Sequence, residues 1–166
     1  MSKNNNEIRE RRATYTALSG IFLSIFAAVA ARHSDELKVR PFDLVMLGFS
    51  TYRLGRLVAY DKVFETFRSP VTRTVDDPSG AGQTVVPKGR GIQRALGELM
   101  ACPICAGTWI SAALTYALTL APRPTRVFLT MMSAIGISEF LNAATEALKW
   151  AGHVERMEVG EYQRGA

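Results

Sequence analysis

Residues 13–31, ATYTALSGIFLSIFAAVAA, contain no charged residue, and they set the class of fold. Residues 99–122, LMACPICAGTWISAALTYALTLAP, and 127–138, VFLTMMSAIGIS, contain none either. About 18 or more uncharged, mostly apolar residues in a helix are long enough to cross a hydrocarbon core of about 30 Å. The first two stretches meet that length outright, so the chain reads as an integral membrane protein.

Working outward, the rest of the 166 residues explains why the bulk numbers look soluble. Mean hydropathy is near zero because apolar blocks alternate with charged connectors. The formal net charge is +5 and the pI about 9.5. The cations flank the blocks: Arg9, Arg11 and Arg12 precede the first, and Arg123 and Arg126 the last. That placement fits topology signals rather than a nucleic-acid stripe. The cations are read as flank charges and not as the aromatic-basic pattern of a base-stacking platform, so no nucleic-acid partner is expected. Arg9–Arg12, an apolar stretch and then Ala28-Val29-Ala30 share features with a secretory signal. The stretch is long for a signal core, which favours an uncleaved anchor.

Four helical segments are expected, at 13–31, 42–60, 101–121 and 127–150, with one long connector, 61–100. The second segment is the test case, because it carries Asp43, Arg53 and Arg56. If all four cross with the N-terminus in the cytoplasm, thirteen Lys and Arg fall on the cytoplasmic side and five opposite, with Arg53 and Arg56 inside the second span. If the second does not cross, the bias reverses. Orientation follows Lys and Arg near the spans. The expected organisation is therefore an all-α bundle of four transmembrane helices. It has a basic cytoplasmic N-terminus (1–12), a single membrane domain (13–150) and a cytoplasmic tail (151–166), in a bacterial cell membrane. Charges inside a span cost about 2.5–3.5 kcal/mol each on insertion scales, so they need partners or a route to the interface.

Within the connector, 61–68 (DKVFETFR) extends the second helix as an amphipathic surface piece, and Ser69-Pro70 stops it. Residues 74–91, rich in Gly, Pro and Asp, are expected to form turns or a mobile loop. Ile92, Ala95, Leu96, Leu99 and Met100 then repeat at helical spacing, an amphipathic helix leading into the third span.

The only two cysteines sit together in Cys102-Pro103-Ile104-Cys105. In the first turn of a helix, unpaired N–H groups and the helix dipole lower a thiol pKa, the physical basis of a redox dithiol. The same spacing is one knuckle of a zinc site, but closed structural zinc takes four ligands. His153 falls on the same side as the cysteines in this topology and His33 opposite. The metal alternatives are a Cys102, Cys105, His153 site with one open position, or a four-cysteine site across a dimer. The plainer account is two small residues packed at a helix start, with Pro suited to the first turn.

Glu139 lies near the middle of the fourth span and Arg53 near the middle of the second, at similar depth. An ionisable group in a membrane faces the bundle interior and is paired, so Glu139 is expected to meet Arg53 or Arg56. One such pair docks helices; a proton or ion path needs more groups. Pro87-Lys88-Gly89-Arg90-Gly91, with two cations before a helix, is a candidate contact for a phosphate or lipid head group through Lys88 and Arg90. It departs from the phosphate-loop and dinucleotide motifs and also reads as a plain hinge. Gly107 and Ser111, then Ala113, Ala117 and Ala121, allow close helix approach. Trp109 and Trp150 fall toward the cytoplasmic interface.

Taken together, Thr51-Tyr52-Arg53-Leu54 with Arg56-Leu57, Asp61, Arg68 and Pro70, and Gly97-Glu98-Leu99 before Cys102-Pro103-Ile104-Cys105 and Trp109, resemble the YjcA-like family of small bacterial multi-pass membrane proteins. The resemblance covers roughly residues 42–145 and rests on TYRLGRLVAYDK paired with GELMACPICAGTW. The family is a domain of unknown function that includes a sporulation protein, so the resemblance implies location and not activity. The extra N-terminal helix and charged tail depart from it. The CPxC pattern is also that of glutaredoxin, but there it follows a strand in an alternating α/β chain, and nothing here alternates.

The expected function is a non-enzymatic scaffold or assembly factor presenting a cytoplasmic CPxC turn. Its partners would be membrane lipids and either a second copy or another protein. The alternative is a membrane-tethered thiol-redox or metal-binding protein using Cys102 and Cys105, with zinc as the candidate metal. A transporter ranks third, since a chain of this size would need to oligomerise. Only two histidines and no nucleophile motif argue against hydrolase chemistry.

Overall fold

The computed structural model describes residues 2–33, 39–77, 79 and 82–164; the side chains of 2–7, 11, 33 and 154–164 are not described. The side chain of His33 therefore lies outside the described residues. So do those of Lys3, Arg11, Lys38, Arg156 and Arg164, all used above to orient the chain.

The chain is mostly helical. α1 spans Ser2–His33 and α2 Pro41–Tyr60; a 3-10 turn at Lys62–Phe64 leads into the short α3, Glu65–Arg68. Strands β1 (Thr72–Asp76) and β2 (Gln83–Pro87) follow. Then come α4 (Gly91–Ala101), α5 (Pro103–Leu120) and α6 (Pro122–Arg164). Proline opens α2, α5 and α6, where its missing N–H removes nothing from the helix. α6 has 43 residues, about 65 Å at 1.5 Å per residue and twice a hydrocarbon core. The apolar run ends near residue 150, but the helix does not, since charged residues form helix as readily as Leu.

Among the described residues three helices are long and apolar enough to cross a membrane: Ile8–Arg32, Pro103–Leu120 and Pro122–His153. The protein is membrane-associated on that ground. α2 is not among them, because its 20 residues include Asp43, Arg53 and Arg56. Yet α2 is the centre of the bundle, packed along both α5 and α6. Met46 and Leu47 of α2 form the buried core with Leu114, Leu118 and Leu129. Two glycines set the spacing. A Cβ on Gly55 would stand 2.6 Å from the Pro103 carbonyl oxygen, and one on Gly136 2.5 Å from that of Phe49. Backbone oxygens cannot step aside, so only glycine fits.

Pairwise contacts fix the helix directions. Along α2 and α6, Asp43 meets Arg126, Ser50 donates to the Leu129 carbonyl and Arg53 meets Glu139, so the two run parallel. Gly55 opposes Pro103 while Met46 and Leu47 meet Leu114 and Leu118, so α5 is antiparallel to α2. Tyr15 donates to Glu98 (2.6 Å) and Phe22 meets the edge of Trp109 (5.2 Å), so α1 runs with α4 and α5. The start of α1, the connector and the distal part of α6 thus gather at one end of the bundle.

The connector corrects two expectations. The chain is not all helix, and 74–91 is not a loose loop: β1 and β2 pair antiparallel from Thr72 opposite Pro87 to Asp76 opposite Gln83. The β-branched residues flanking the Gly- and Pro-rich tip fit a pleated surface. Gly97 of α4 abuts the Val71 carbonyl and Pro87, which docks the hairpin on α4. At Gly89 and Gly91, φ is +70° and +55°. These are left-handed values that reverse the chain from β2 into α4, so the motif is a fixed turn. The piece 61–68 is a 3-10 turn and one α-turn rather than a continuation of α2.

Candidate functional site

Charged groups collect where the end of α2 meets α6. Arg53 Nη2 donates to Asp61 Oδ2 at 2.6 Å, and Arg53 Nη1 lies 3.1 Å from Glu139 Oε1. The Arg53 side chain is only 14 % exposed, and it holds two carboxylates at once. Arg56 Nε is farther, 3.9 Å from Glu139 Oε2. Its guanidinium rests over the rings of Tyr52 and Tyr60 at 5.8 and 5.6 Å, where the ring quadrupole holds a cation. The structure therefore places Glu139 against Arg53 first and Arg56 second, and adds Asp61.

Arg68 closes the same end. It is buried, and its guanidinium donates to the carbonyls of Asp61 (2.8 Å), Tyr60 (3.4 Å) and Val58 (3.5 Å). These are among the last carbonyls of α2 and the residue after it, oxygens that a helix C-terminus leaves without partners. The buried Thr72 hydroxyl donates back to the Arg68 carbonyl at 3.0 Å, tying β1 to this cap. Lys88 Nζ donates to the Ser69 carbonyl at 2.8 Å, so this candidate anion contact is engaged in holding the connector. Arg90 is exposed and caps the start of α4.

At the far end of the bundle, sequence reasoning missed a site. Asp43 is buried, and Arg126 clasps it with two bonds, Nε to Oδ1 at 3.2 Å and Nη2 to Oδ2 at 3.1 Å. Such forked pairs fix geometry as well as charge. The signal was present: an acid three residues after Arg40 and directly after Pro41-Phe42 marks a helix start. The Arg40 amide indeed donates to Asp43 at 3.3 Å.

The CPxC turn sits between α4 and α5. Cys102 is the extended residue that caps α5, and the Cys105 amide donates to its sulfur at 3.3 Å. Both thiols are free; Cys105 is exposed and Cys102 half-buried. The adjacent Cys105 thiol and the amides of Cys105 and Ile104 hold the Cys102 thiol below its usual range. His153 is exposed, with its ring 6.3 Å from that of Trp150. It lies fourteen residues past Glu139, about 21 Å along α6. Among the described residues no group of three or more His, Cys, Asp or Glu side chains is placed for a metal ion. Within one chain His153 is thus not brought to the cysteines.

A family model described as "Protein of unknown function (DUF1360)" matches residues 46–145. The chain is similar to the sporulation protein YjcA of Bacillus subtilis (strain 168). The two are 24% identical over 110 residues, which cover 64% of this chain and 92% of that protein. No solved structure matches the chain. The matched region runs from the second turn of α2 through the connector and CPxC turn into α6, and it leaves out α1 and the distal part of α6.

Proposed function

This chain belongs to the DUF1360 family of proteins of unknown function, and we propose that it is a multi-pass membrane scaffold or assembly factor. In this reading α1, α2, α5 and α6 all cross the bilayer, and the connector and both termini face the cytoplasm. The alternating helix directions support four crossings. The paired state of Asp43, Arg53 and Glu139 supports a spanning α2, because an intramembrane charge needs a partner. The excess of Lys and Arg at the connector end supports the orientation.

One observation carries the scaffold reading: the connector is a preformed surface. The hairpin is docked on α4, Arg68 locks the α2 end beneath it, and Val63, Phe67 and Arg73 remain exposed. A rigid surface of this kind loses little entropy on binding a protein partner. The relative is named for sporulation, and the reading does not take that process from it.

The test is photocrosslinking in cells from positions 67 and 73, with position 141 of α6 as a lipid-facing control. A discrete protein adduct from 67 or 73, absent from 141, is expected, and Arg73→Glu should abolish the adduct from 67. Diffuse lipid adducts at all three positions would contradict the scaffold.

The Cys102 geometry favours a second reading, a membrane-tethered dithiol or, across a dimer, a four-cysteine zinc site. Stoichiometric metal or a reversible disulfide in the purified protein, with loss of phenotype in Cys102→Ser and Cys105→Ser, would favour it. Reduced, metal-free cysteines that tolerate both substitutions favour the scaffold.

A further inference from the structure

Between α1, α2 and α5 runs a groove of about 760 Å³ that the scaffold reading does not use. It extends along α5 from Pro103 to Tyr116, thirteen residues or about 20 Å, and so somewhat more than one leaflet of a 30 Å core. Its walls are mostly apolar. Phe22 and Phe26 of α1 form one side, and Gly48 and Gly107 leave width on the others. The groove is apolar along a length that suits a hydrocarbon chain lying in one leaflet.

The connector end of the groove is positive. Arg56 lines it and is half exposed. Its carboxylate, Glu139, stands 3.9 Å away and lies closer to Arg53, at 3.1 Å, so much of the Arg56 charge faces the groove mouth. The first residues of α5 line the same end, and the N-terminus of that 18-residue helix favours negative charge. Two further lining groups, Thr51 Oγ1 and Tyr116 Oη, are buried without a hydrogen-bond partner. Hydroxyls left so call for an acceptor.

We propose that the groove is a binding site for a bilayer phospholipid with an anionic headgroup: the phosphate sits at Arg56, and one acyl chain runs past Gly48 between α1 and α5. The proposal rests on α1, α2 and α5 lying in the bilayer, and not on which membrane side holds the connector. A wrong orientation would leave it standing.

Trp109 reports on the site, because it packs on Phe22 at the groove wall, and Trp150→Phe leaves it the single tryptophan. The protein is reconstituted in phosphatidylcholine vesicles carrying a minor fraction of brominated phosphatidylglycerol or of brominated phosphatidylcholine. Phosphatidylglycerol should quench Trp109 with about fivefold higher relative affinity, the scale of one cation at a membrane surface. Arg56→Gln should erase that preference and Arg56→Lys retain most of it. A Cβ on Gly48 meets open space, so Gly48→Leu should fill the groove without a clash and weaken quenching by both lipids. Equal quenching by the two lipids in the parent protein would overturn the proposal. So would unchanged quenching in Gly48→Leu together with loss of a dimer by light scattering, which would give the groove to a second copy.

Discussion

α1 and α2 invert what hydropathy alone suggests about them. α1 is apolar enough to cross a membrane and has none of its most apolar stretch buried inside the protein. α2 carries three charges and is the helix on which α5 and α6 both pack. Hydropathy reports what lipid tolerates. It does not report which helix the others dock on, because apolar side chains are as well solvated by lipid as by each other. Docking is specified by what lipid does not tolerate, and α2 carries those groups: Asp43 for Arg126, Ser50 for the Leu129 carbonyl, Arg53 for Glu139.

The sharpest way to break this contrast is to pry α6 from α2. Gly136→Leu sets a side chain against the Phe49 carbonyl. It should cost at least about 3 kcal/mol, more than any change in α1, read as thermal denaturation in detergent. An ordinary surface-like tolerance at this position would mean that α2 is not the hub. Next comes the charge network. Arg53→Gln strands Asp61, leaves Glu139 only its 3.9 Å contact with Arg56 and should cost about 2–4 kcal/mol, whereas Glu139→Gln leaves Arg53 its bond to Asp61 and should cost about 1 kcal/mol. Equal costs would show that the shared cation is not what holds the cluster. The reciprocal swap Arg53→Glu with Glu139→Arg should rescue poorly, because Asp61 then faces a like charge.

Arg68→Met removes the cap on the end of α2 at about 2 kcal/mol. It should speed proteolysis of the connector while leaving the helices resistant; Arg68→Lys should not restore protection, since an ammonium lacks the planar fork with which Arg68 reaches three carbonyls. The smallest effects belong to α1. Tyr15→Phe and Phe22→Ala should each cost less than about 1 kcal/mol, and larger losses would mean that α1 is part of the core. At the CPxC turn, the lowered Cys102 pKa keeps thiolate present as pH falls. With Cys105 in place and the modified site read by peptide mass, its alkylation should therefore decline less between pH 9 and pH 7 than that of an unperturbed thiol. A matching decline would remove the local stabilisation of the thiolate.

How much of this was legible depended on the physics each residue obeys. The charge-free runs gave α1, α5 and α6 because exclusion of charge is a one-dimensional signal. The meeting of Glu139 with Arg53 followed from depth alone. Asp43 with Arg126 did not, since Arg126 also reads as a topology charge and nothing local says that it folds back onto a helix start. The hairpin was hidden by its own tip: Pro, Gly and Asp between 76 and 82 outweighed the Thr-Val pairs on either side. Gly55 and Gly136, the glycines at which α2 meets α5 and α6 backbone to backbone, were overlooked in favour of the regular small-residue spacing of α5. Close approach depends on the facing backbone, which spacing along one helix does not contain.

Whether α2 crosses the bilayer decides the account, and two single cysteines decide α2. In a Cys102→Ser, Cys105→Ser background, one is placed at position 79 near the hairpin tip and the other at position 123 in the α5–α6 turn. Intact cells are then treated with a membrane-impermeant maleimide. Labelling at 123 with protection at 79 until the cells are opened is the expected result. Labelling of both from outside would put the two ends of the bundle on one side of the membrane and contradict a spanning α2.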